Sequence, residues 1–129
     1  MSELPGDLQY TNDHEWLRRE DDGNVTIGVT DHAQSSLGDL VYVELPEIGQ
    51  EVDNGGDMAV VESVKAASDV YAPISGTVVG VNDGLADDPE AINNDPYGDG
   101  WIVKLQPGGD ESDLLSPDAY QSLLDELDD

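Results

Sequence analysis

The fold of this chain is decided by residues 58–73, which read Met58-Ala-Val-Val-Glu-Ser-Val-Lys65-Ala-Ala-Ser-Asp-Val-Tyr-Ala72-Pro73. Short apolar runs rich in valine lie on both sides of one lysine, and such runs are typical of strands. The pattern predicts a β-hairpin with Lys65 at its tip. A lysine amine can act as a nucleophile, form a Schiff base or accept a covalent group. A solvated turn lysine is the alternative, and it stays open at this point.

Lysine is scarce in this chain. Its 129 residues include 30 Asp and Glu against 4 Lys and Arg, so the formal net charge is −26. Two of the four basic residues are lysines, and the second, Lys104, falls within a predicted strand. In a surface that has almost no lysine, a lysine at a hairpin tip indicates a function more strongly than it would elsewhere.

The net charge limits the partners of the protein. No basic patch is available to neutralise phosphates, so we expect neither nucleic acid nor an anionic membrane as a partner. A high net charge combined with only 37% hydrophobic residues could indicate disorder. We reject disorder because the apolar residues recur in a regular pattern. Self-repulsion on this scale is relieved by salt. We therefore expect a salt-rich cytoplasm, as in an extremely halophilic prokaryote.

The N-terminal residues and the absence of cysteine bear on the location of the protein in the cell. The first residues contain neither a basic nor an apolar run, so we expect no signal peptide. No segment is long and apolar enough for a transmembrane helix. Cysteine is absent, which excludes a disulfide framework and a CxxC site. We expect a cytoplasmic, monomeric protein.

Strand signals dominate the chain and predict one domain over residues 1–129, a mainly β protein built as an antiparallel β sandwich or flattened barrel. The β core spans about residues 8–105. Pro73–Gly76 is predicted as a turn and residues 107–112 as a linker. The predicted strands are His14–Arg18, Val25–Val29, Leu40–Leu45, Val60–Val64, Val70–Ala72, Thr77–Val81 and Gly100–Leu105.

Short helices complete the prediction. Residues 30–37 begin with a capping threonine and end before Gly38. Residues 83–96 form a polar connection with room for a short helix. A C-terminal helical region covers residues 112–127, with Ser116 as N-cap before Pro117. Its apolar face, expected to pack on the β core, consists of Tyr120, Leu123, Leu124 and Leu127.

Catalytic and metal-binding motifs are poorly supported. His14-Glu15 and Asp31-His32 combine two histidines with two carboxylates, but their spacing matches no metal motif. The acidic turns at residues 21–23 and 82–84 lack the ligand register of a calcium loop. We therefore predict neither catalytic residues nor a metal site. A small metal-dependent hydrolase that uses His14 and His32 remains an alternative.

Several segments together carry a resemblance to a known family. The residues Glu62-Ser-Val-Lys65-Ala66 are the most specific of them; lipoyl domains of 2-oxoacid dehydrogenases usually have Asp-Lys-Ala at this place and biotin carriers Met-Lys-Met. Over nearly the whole chain, the sequence resembles the H protein of the glycine cleavage system. The further matching segments are Tyr10–Trp16, Val25–Gln34, Leu37–Pro46, Ser68-Asp69, Pro73–Gly76, Val81-Asn82, Asn94–Gly98 and Gly100-Trp101.

The resemblance implies a fold, a cofactor and a set of site residues. The fold would be a hybrid of the lipoyl and biotinyl domain type. Lys65 would carry lipoate through an amide bond. Glu62 and Gly76 would serve recognition by the lipoate-attaching enzyme. The residues implied to line a cleft for the lipoyl arm are Glu15, His32 and Asp69.

The resemblance also implies a function, which is that of a non-catalytic lipoyl shuttle. The lipoyl group would accept the aminomethyl group left when a pyridoxal-phosphate-dependent glycine decarboxylase releases CO2. An aminomethyltransferase would pass the carbon to tetrahydrofolate, and dihydrolipoamide dehydrogenase would reoxidise the dithiol. Two alternatives of other classes stay open: a carrier that relays lipoyl groups during lipoate assembly, and an unmodified β interaction module.

Overall fold

The structure is a computed structural model that describes residues 6, 8–111 and 114–127; side chains of residues 109–111 and 127 fall outside the description. The strands are β1 (Gln9–Tyr10), β2 (Glu15–Arg19), β3 (Val25–Val29), β4 (Leu40–Glu44), β5 (Glu51–Val52), β6 (Asp57–Ser63), β7 (Ala67–Tyr71), β8 (Ile74–Val81) and β9 (Val103–Glu111). The helices are α1 (Asp31–Leu37), α2 (Gly84–Asp87), α3 (Ala91–Asn94) and α4 (Pro117–Leu127).

The strands form two sheets. A six-stranded sheet has the order β1-β2-β3-β9-β8-β5, and a three-stranded sheet has the order β4-β6-β7. Every strand pairing among the described residues is antiparallel. Valine, leucine and isoleucine from both sheets fill one buried cluster. The predicted fold class, mainly β with two antiparallel sheets and short helices, is confirmed.

The predicted hairpin around the lysine is present as β6 and β7. Its register pairs Val60 with Asp69 and Glu62 with Ala67. Val61 and Val70 face the core with 1% of their surface exposed. Strand alternation thus buries one face of this hairpin and leaves the other open.

Two sequence-based predictions in the second half were wrong. Residues 73–76 do not form a turn, because β8 begins at Ile74. Residues 107–111 are not a linker but the end of β9, in which Pro107 pairs with Gly76. The run Pro-Gly-Gly suggests a turn locally, but pairing with a long neighbouring strand overrides that preference, and a register irregularity next to the pair accommodates proline.

Helices α1 and α4 begin at the positions that their capping residues predicted. The Thr30 side chain accepts a hydrogen bond from the N–H of Ala33, and α1 ends at Gly38, which has a φ of 83°. Ser116 accepts a hydrogen bond from the N–H of Ala119 at the start of α4. The polar connection over residues 83–96 contains two short helices rather than one.

The α4 helix packs on the end of the six-stranded sheet. Tyr120 and Leu124 are buried there with Tyr10 and Trp16, and the ring centroids of Tyr10 and Tyr120 are 4.8 Å apart. Leu123 packs against the same cluster. Residues 112–113 and the Leu127 side chain, both part of the predicted helical region, lie outside the described residues. None of the described helices has the length and apolar character that a membrane span requires.

Candidate functional site

The tip of the β6–β7 hairpin is held by one serine. The N–H of Ser63 donates to the carbonyl of Ala66 at 2.7 Å. Its hydroxyl oxygen accepts from the N–H groups of Lys65 at 3.3 Å and Ala66 at 3.1 Å. The N–H of Val64 donates to the carbonyl of Asp39 at 3.2 Å. These bonds fix the backbone of the tip, while the Lys65 side chain stays exposed.

The two lysines have different surroundings. Among the described residues, no carboxylate lies within ion-pair distance of the Lys65 ammonium group. Lys104 is the second residue of β9, paired with Thr26, and its ammonium group lies 5.3 Å from the ring centroid of Trp101. Of the two amines, only that of Lys65 is displayed at the end of a projecting hairpin.

Glu62 lies on the open face of the hairpin, three residues before Lys65. It pairs with Ala67 on one side and with Tyr42 on the other. Its side chain is partly exposed. A protein that approaches the lysine from this face would meet the Glu62 carboxylate.

The next row of the open face contains Asp69. Here Val60 is paired with Glu44 on β4 and with Asp69 on β7. The row lines an open pocket of about 220 Å³, whose remaining lining residues are Leu45, Pro46, Gln50, Asp57, Met58 and Ala59. The pocket lining therefore combines apolar side chains with the carboxylates of Glu44, Asp57 and Asp69.

Glu15 is buried, with 2% of its surface exposed. The hydroxyl of Thr11 donates to one carboxyl oxygen at 2.8 Å, and the N–H of Tyr71 donates to the other at 3.1 Å. Burial raises the pKa of the Glu15 carboxyl to about 7, although both hydrogen bonds oppose the rise. Glu15 is therefore not an ordinary surface acid.

Glu15 and Asp69 both lie near Tyr71. The charge of Asp69, followed by partial burial and by weaker effects of other carboxylates that include Glu15, raises the pKa of the half-buried Tyr71 phenol. His32 does not line the pocket that contains Asp69. Its ring lies 4.7 Å from that of His14, the residue before Glu15. The structure thus brings the three predicted cleft residues to one region but not into one pocket.

The contact between His14 and Tyr120 was not predicted from the sequence. The Tyr120 hydroxyl lies 2.7 Å from His14 Nδ1 and 2.7 Å from the Thr30 hydroxyl. Burial, followed by the charge of His32, lowers the pKa of His14. His14 has a φ of 69°, which is rare for a residue other than glycine. No signal along the chain joins positions 14, 30 and 120, because their contact depends on the docking of α4.

The two histidines do not form part of a metal centre in the region that the structure covers. Among the described residues, no three His, Cys, Asp or Glu side chains are grouped so that they could hold a metal ion.

Gly76 has a steric reason to be glycine. A Cβ atom added there would collide with the carbonyl oxygen of Gln106 on β9. The residue lies between β5 and β9, paired with Val52 and Pro107. Close backbone packing therefore requires glycine at this position, whatever further part it has in recognition.

Comparison with known proteins identifies the family. Residues 8–127 match the family model described as glycine cleavage H-protein. The chain belongs to the glycine cleavage H-protein family. A glycine cleavage system H protein from Halorhodospira halophila is 61% identical over 127 residues, which cover 96% of this chain and 97% of the relative. The corresponding protein of a Psychrobacter species is 58% identical over 126 residues, 96% of this chain and 100% of the relative.

Solved structures agree with this assignment. The crystal structure of a glycine cleavage system H protein from Mycobacterium marinum superposes with a TM-score of 0.89 at 43% identity, covering 95% of this chain and 99% of that chain. Membership in the family confirms the predicted function class, a non-catalytic lipoyl carrier of the glycine cleavage system. The comparisons do not favour a relay carrier or an unmodified interaction module.

Proposed function

We propose that Lys65 carries the lipoyl group of this H protein. The observation that supports the proposal is the placement of Lys65, an exposed amine on a hairpin tip whose backbone is fixed by Ser63. A fixed tip presents the amine in one position, while the aliphatic side chain supplies reach. The residues present fit an amide-linked group, because the amine is accessible and has no carboxylate partner among the described residues.

Lys65 would hold the lipoate, and the group would supply a disulfide for the aminomethyl group that glycine decarboxylase delivers. Aminomethyltransferase would pass the carbon to tetrahydrofolate with release of ammonia, and dihydrolipoamide dehydrogenase would restore the disulfide. These three enzymes and the enzyme that attaches lipoate are the proposed partners. We place the chain in the cytoplasm. We propose that it is a monomer, because two copies in direct contact would bring like charges within the short distance over which salt does not screen them.

We further propose that the open face of the β4-β6-β7 sheet shelters the loaded arm. Asp69 lies four residues beyond Lys65, at most about 13 Å along an extended strand. A lysine side chain lengthened by a lipoyl chain spans this distance. The pocket beside Asp69 offers Val60 to the apolar chain and carboxylates to a cationic amine.

Glu15 and His32 contribute to this shelter from behind β7. Glu15 holds the backbone of Tyr71 and thereby fixes the strand that carries Asp69. The His32 ring is tilted against that of His14, directly before β2, with the ring centroids 4.7 Å apart. Their proposed part is to fix the wall of the cleft, with Asp69 as its exposed acid. Glu62 and Gly76 are proposed as recognition residues for lipoate attachment.

Glycine–CO2 exchange in the presence of glycine decarboxylase tests the proposal. Lys65→Arg keeps the charge and the exposed position but cannot form the lipoyl amide, so exchange should fall to the background without H protein. Lys104→Arg is the matched control and should keep the exchange rate of the lipoylated wild type. Full activity of Lys65→Arg would overturn the assignment.

A further inference from the structure

Strand β4 departs from the usual alternation of buried and exposed residues. Leu40 and Val43 are buried with 1% and 5% exposure, but the two residues between them, Val41 and Tyr42, are 55% and 50% exposed. The register against β6 shifts between Leu40 and Tyr42. Such a bulge directs two consecutive side chains away from the core. Two large apolar side chains are thereby held in solvent on an edge strand.

The hairpin tip adds a third exposed apolar side chain to the same end of the sheet. Val64, directly before Lys65, is 73% exposed. Its N–H donates to the carbonyl of Asp39, one residue before β4, and this bond ties the tip to the bulged strand. Single exposed apolar residues are common, whereas a group of them beside a functional lysine indicates a contact surface.

We propose that Val41, Tyr42 and Val64 form a docking surface for the enzyme that acylates Lys65. The inference rests on the proposed function and adds to it the surface by which that enzyme binds. We call these three residues the tip patch. The enzyme is expected to present an apolar socket for Tyr42 and Val64, with lysine and arginine around it.

The position of the tip patch favours this occupant. Acylation forms a C–N bond between Lys65 Nζ and the carbonyl carbon of an activated acyl donor bound by the enzyme, as the bond to the leaving group breaks and the amine loses a proton. The enzyme must therefore reach bonding distance of Nζ, and in doing so it covers the adjacent Val64. A tyrosine beside an apolar centre is typical of residues that dominate binding energy.

The charges around the tip patch favour a basic rim on the enzyme. Asp39 and Glu44 are exposed, and Glu62 is partly exposed, next to the three apolar residues. A second copy of this chain would bring the same acids against them, which disfavours self-association. The bulge also disfavours the addition of a further strand at β4.

At high salt concentration, apolar contacts contribute a larger share of the binding free energy. At 1 M salt the screening length is about 3 Å, so attraction at a distance between opposite charges is lost. Apolar contacts do not depend on that attraction. An acidic carrier that works in concentrated salt therefore needs an apolar contact beside its lysine.

The double variant Tyr42→Ser with Val64→Ser tests the inference. The chain without lipoate is incubated with a lipoate–protein ligase, lipoate and ATP, and attachment is followed by intact mass. We expect the KM for the chain to rise at least about tenfold, which corresponds to about 1.4 kcal/mol of lost binding, with kcat within about twofold. Ile48→Ser with Val79→Ser is the matched control, because these residues are 65% and 39% exposed and lie outside the tip patch.

The outcomes separate the two proposals. Acylation of Lys65 by a small reagent, N-hydroxysuccinimidyl acetate, should proceed at equal rates in wild type and variant, which shows that the amine is equally accessible. An unchanged KM in the tip-patch variant would overturn the proposed docking surface but not the proposed function. A wild-type dimer that the variant abolishes would do the same. Failure of the ligase to modify Lys65 of the wild type would instead overturn the proposed function.

Discussion

The N–H of Tyr71 donates a hydrogen bond to the carboxyl of Glu15 at 3.1 Å, and this bond joins the two sheets. Glu15 belongs to β2 of the six-stranded sheet, and Tyr71 ends β7 of the three-stranded sheet that carries Lys65. The other carboxyl oxygen accepts from Thr11. A buried side chain with both oxygens bonded thus sets the position of the lysine hairpin on the rest of the protein.

The raised pKa of Glu15 predicts a pH-dependent stability. In the unfolded chain the carboxyl loses its proton near 4.5, whereas in the folded chain it keeps it to about 7. Burial of the neutral acid is therefore tolerated below pH 4.5, and its stabilising contribution is lost as the pH rises to 7. Glu15→Gln imitates the neutral acid at every pH.

We expect the free energy of unfolding of wild type, minus that of Glu15→Gln, to fall by about 3 kcal/mol as the pH rises from 4.5 to 7. Urea denaturation of both proteins at constant molar KCl measures this difference. The contributions of the other carboxylates are the same in both proteins and therefore cancel. A difference that stays level across this range would contradict an elevated pKa.

The lifetime of the loaded arm tests the proposed cleft. Glu15→Gln with Asp69→Asn should shorten the half-life of the aminomethylated form. A glutamine has one carbonyl oxygen for the two donors, Thr11 and the Tyr71 N–H, so the wall is held less firmly, and the ammonium loses the carboxylate of Asp69. Lipoylation at Lys65 should continue. Molar salt removes charge effects at a distance and leaves short contacts. Equal decay of the two loaded proteins, followed by ammonia release, would mean that these acids do not protect the arm.

Folding should depend on salt. With a net charge of −26, repulsion among carboxylates opposes the compact state, and only one ion pair, Arg18 with Glu20 at 3.1 Å, is formed between described side chains. Circular dichroism at decreasing KCl should show loss of the β signal well below about 1 M. The same melting temperature in dilute buffer would show that the charge needs no screening.

Gly76→Ala separates packing from recognition. The new methyl group meets the Gln106 carbonyl, so we expect a destabilisation of about 1–3 kcal/mol. Gly80→Ala in the same strand is the control, since its Cβ would lie 3.6 Å from Lys104 Cβ, an ordinary contact. If Gly76→Ala is as stable as wild type but is lipoylated slowly, recognition rather than packing explains the glycine.

The sequence predicted those features of the fold that depend on neighbouring residues along the chain. The alternating apolar runs on both sides of Lys65 predicted the hairpin, and Thr30 and Ser116 marked helix starts through their capping hydroxyls. The family resemblance identified the function class. The bulge in β4 was not predicted, because it arises from the pairing of β4 with β6 rather than from the residues of β4.

Contacts between distant segments were beyond a reading of the chain. Glu15 could not be recognised as buried, because in a chain with 30 acidic residues nothing local distinguishes it from the others. Its environment is made by Thr11 and by the backbone of Tyr71, 56 positions away. The strand at Pro107 was missed for a similar reason, since its partner Gly76 lies on another strand.

The most direct test of the account is the mapping of lipoate on the protein. The full-length chain is lipoylated by its ligase, its intact mass is measured, and the two lysines are assigned by peptide fragmentation. The account predicts one lipoyl group per chain, on Lys65, with Lys104 unmodified and no adduct in Lys65→Arg. Lipoate on Lys104, or a wild type that stays unmodified, would contradict it.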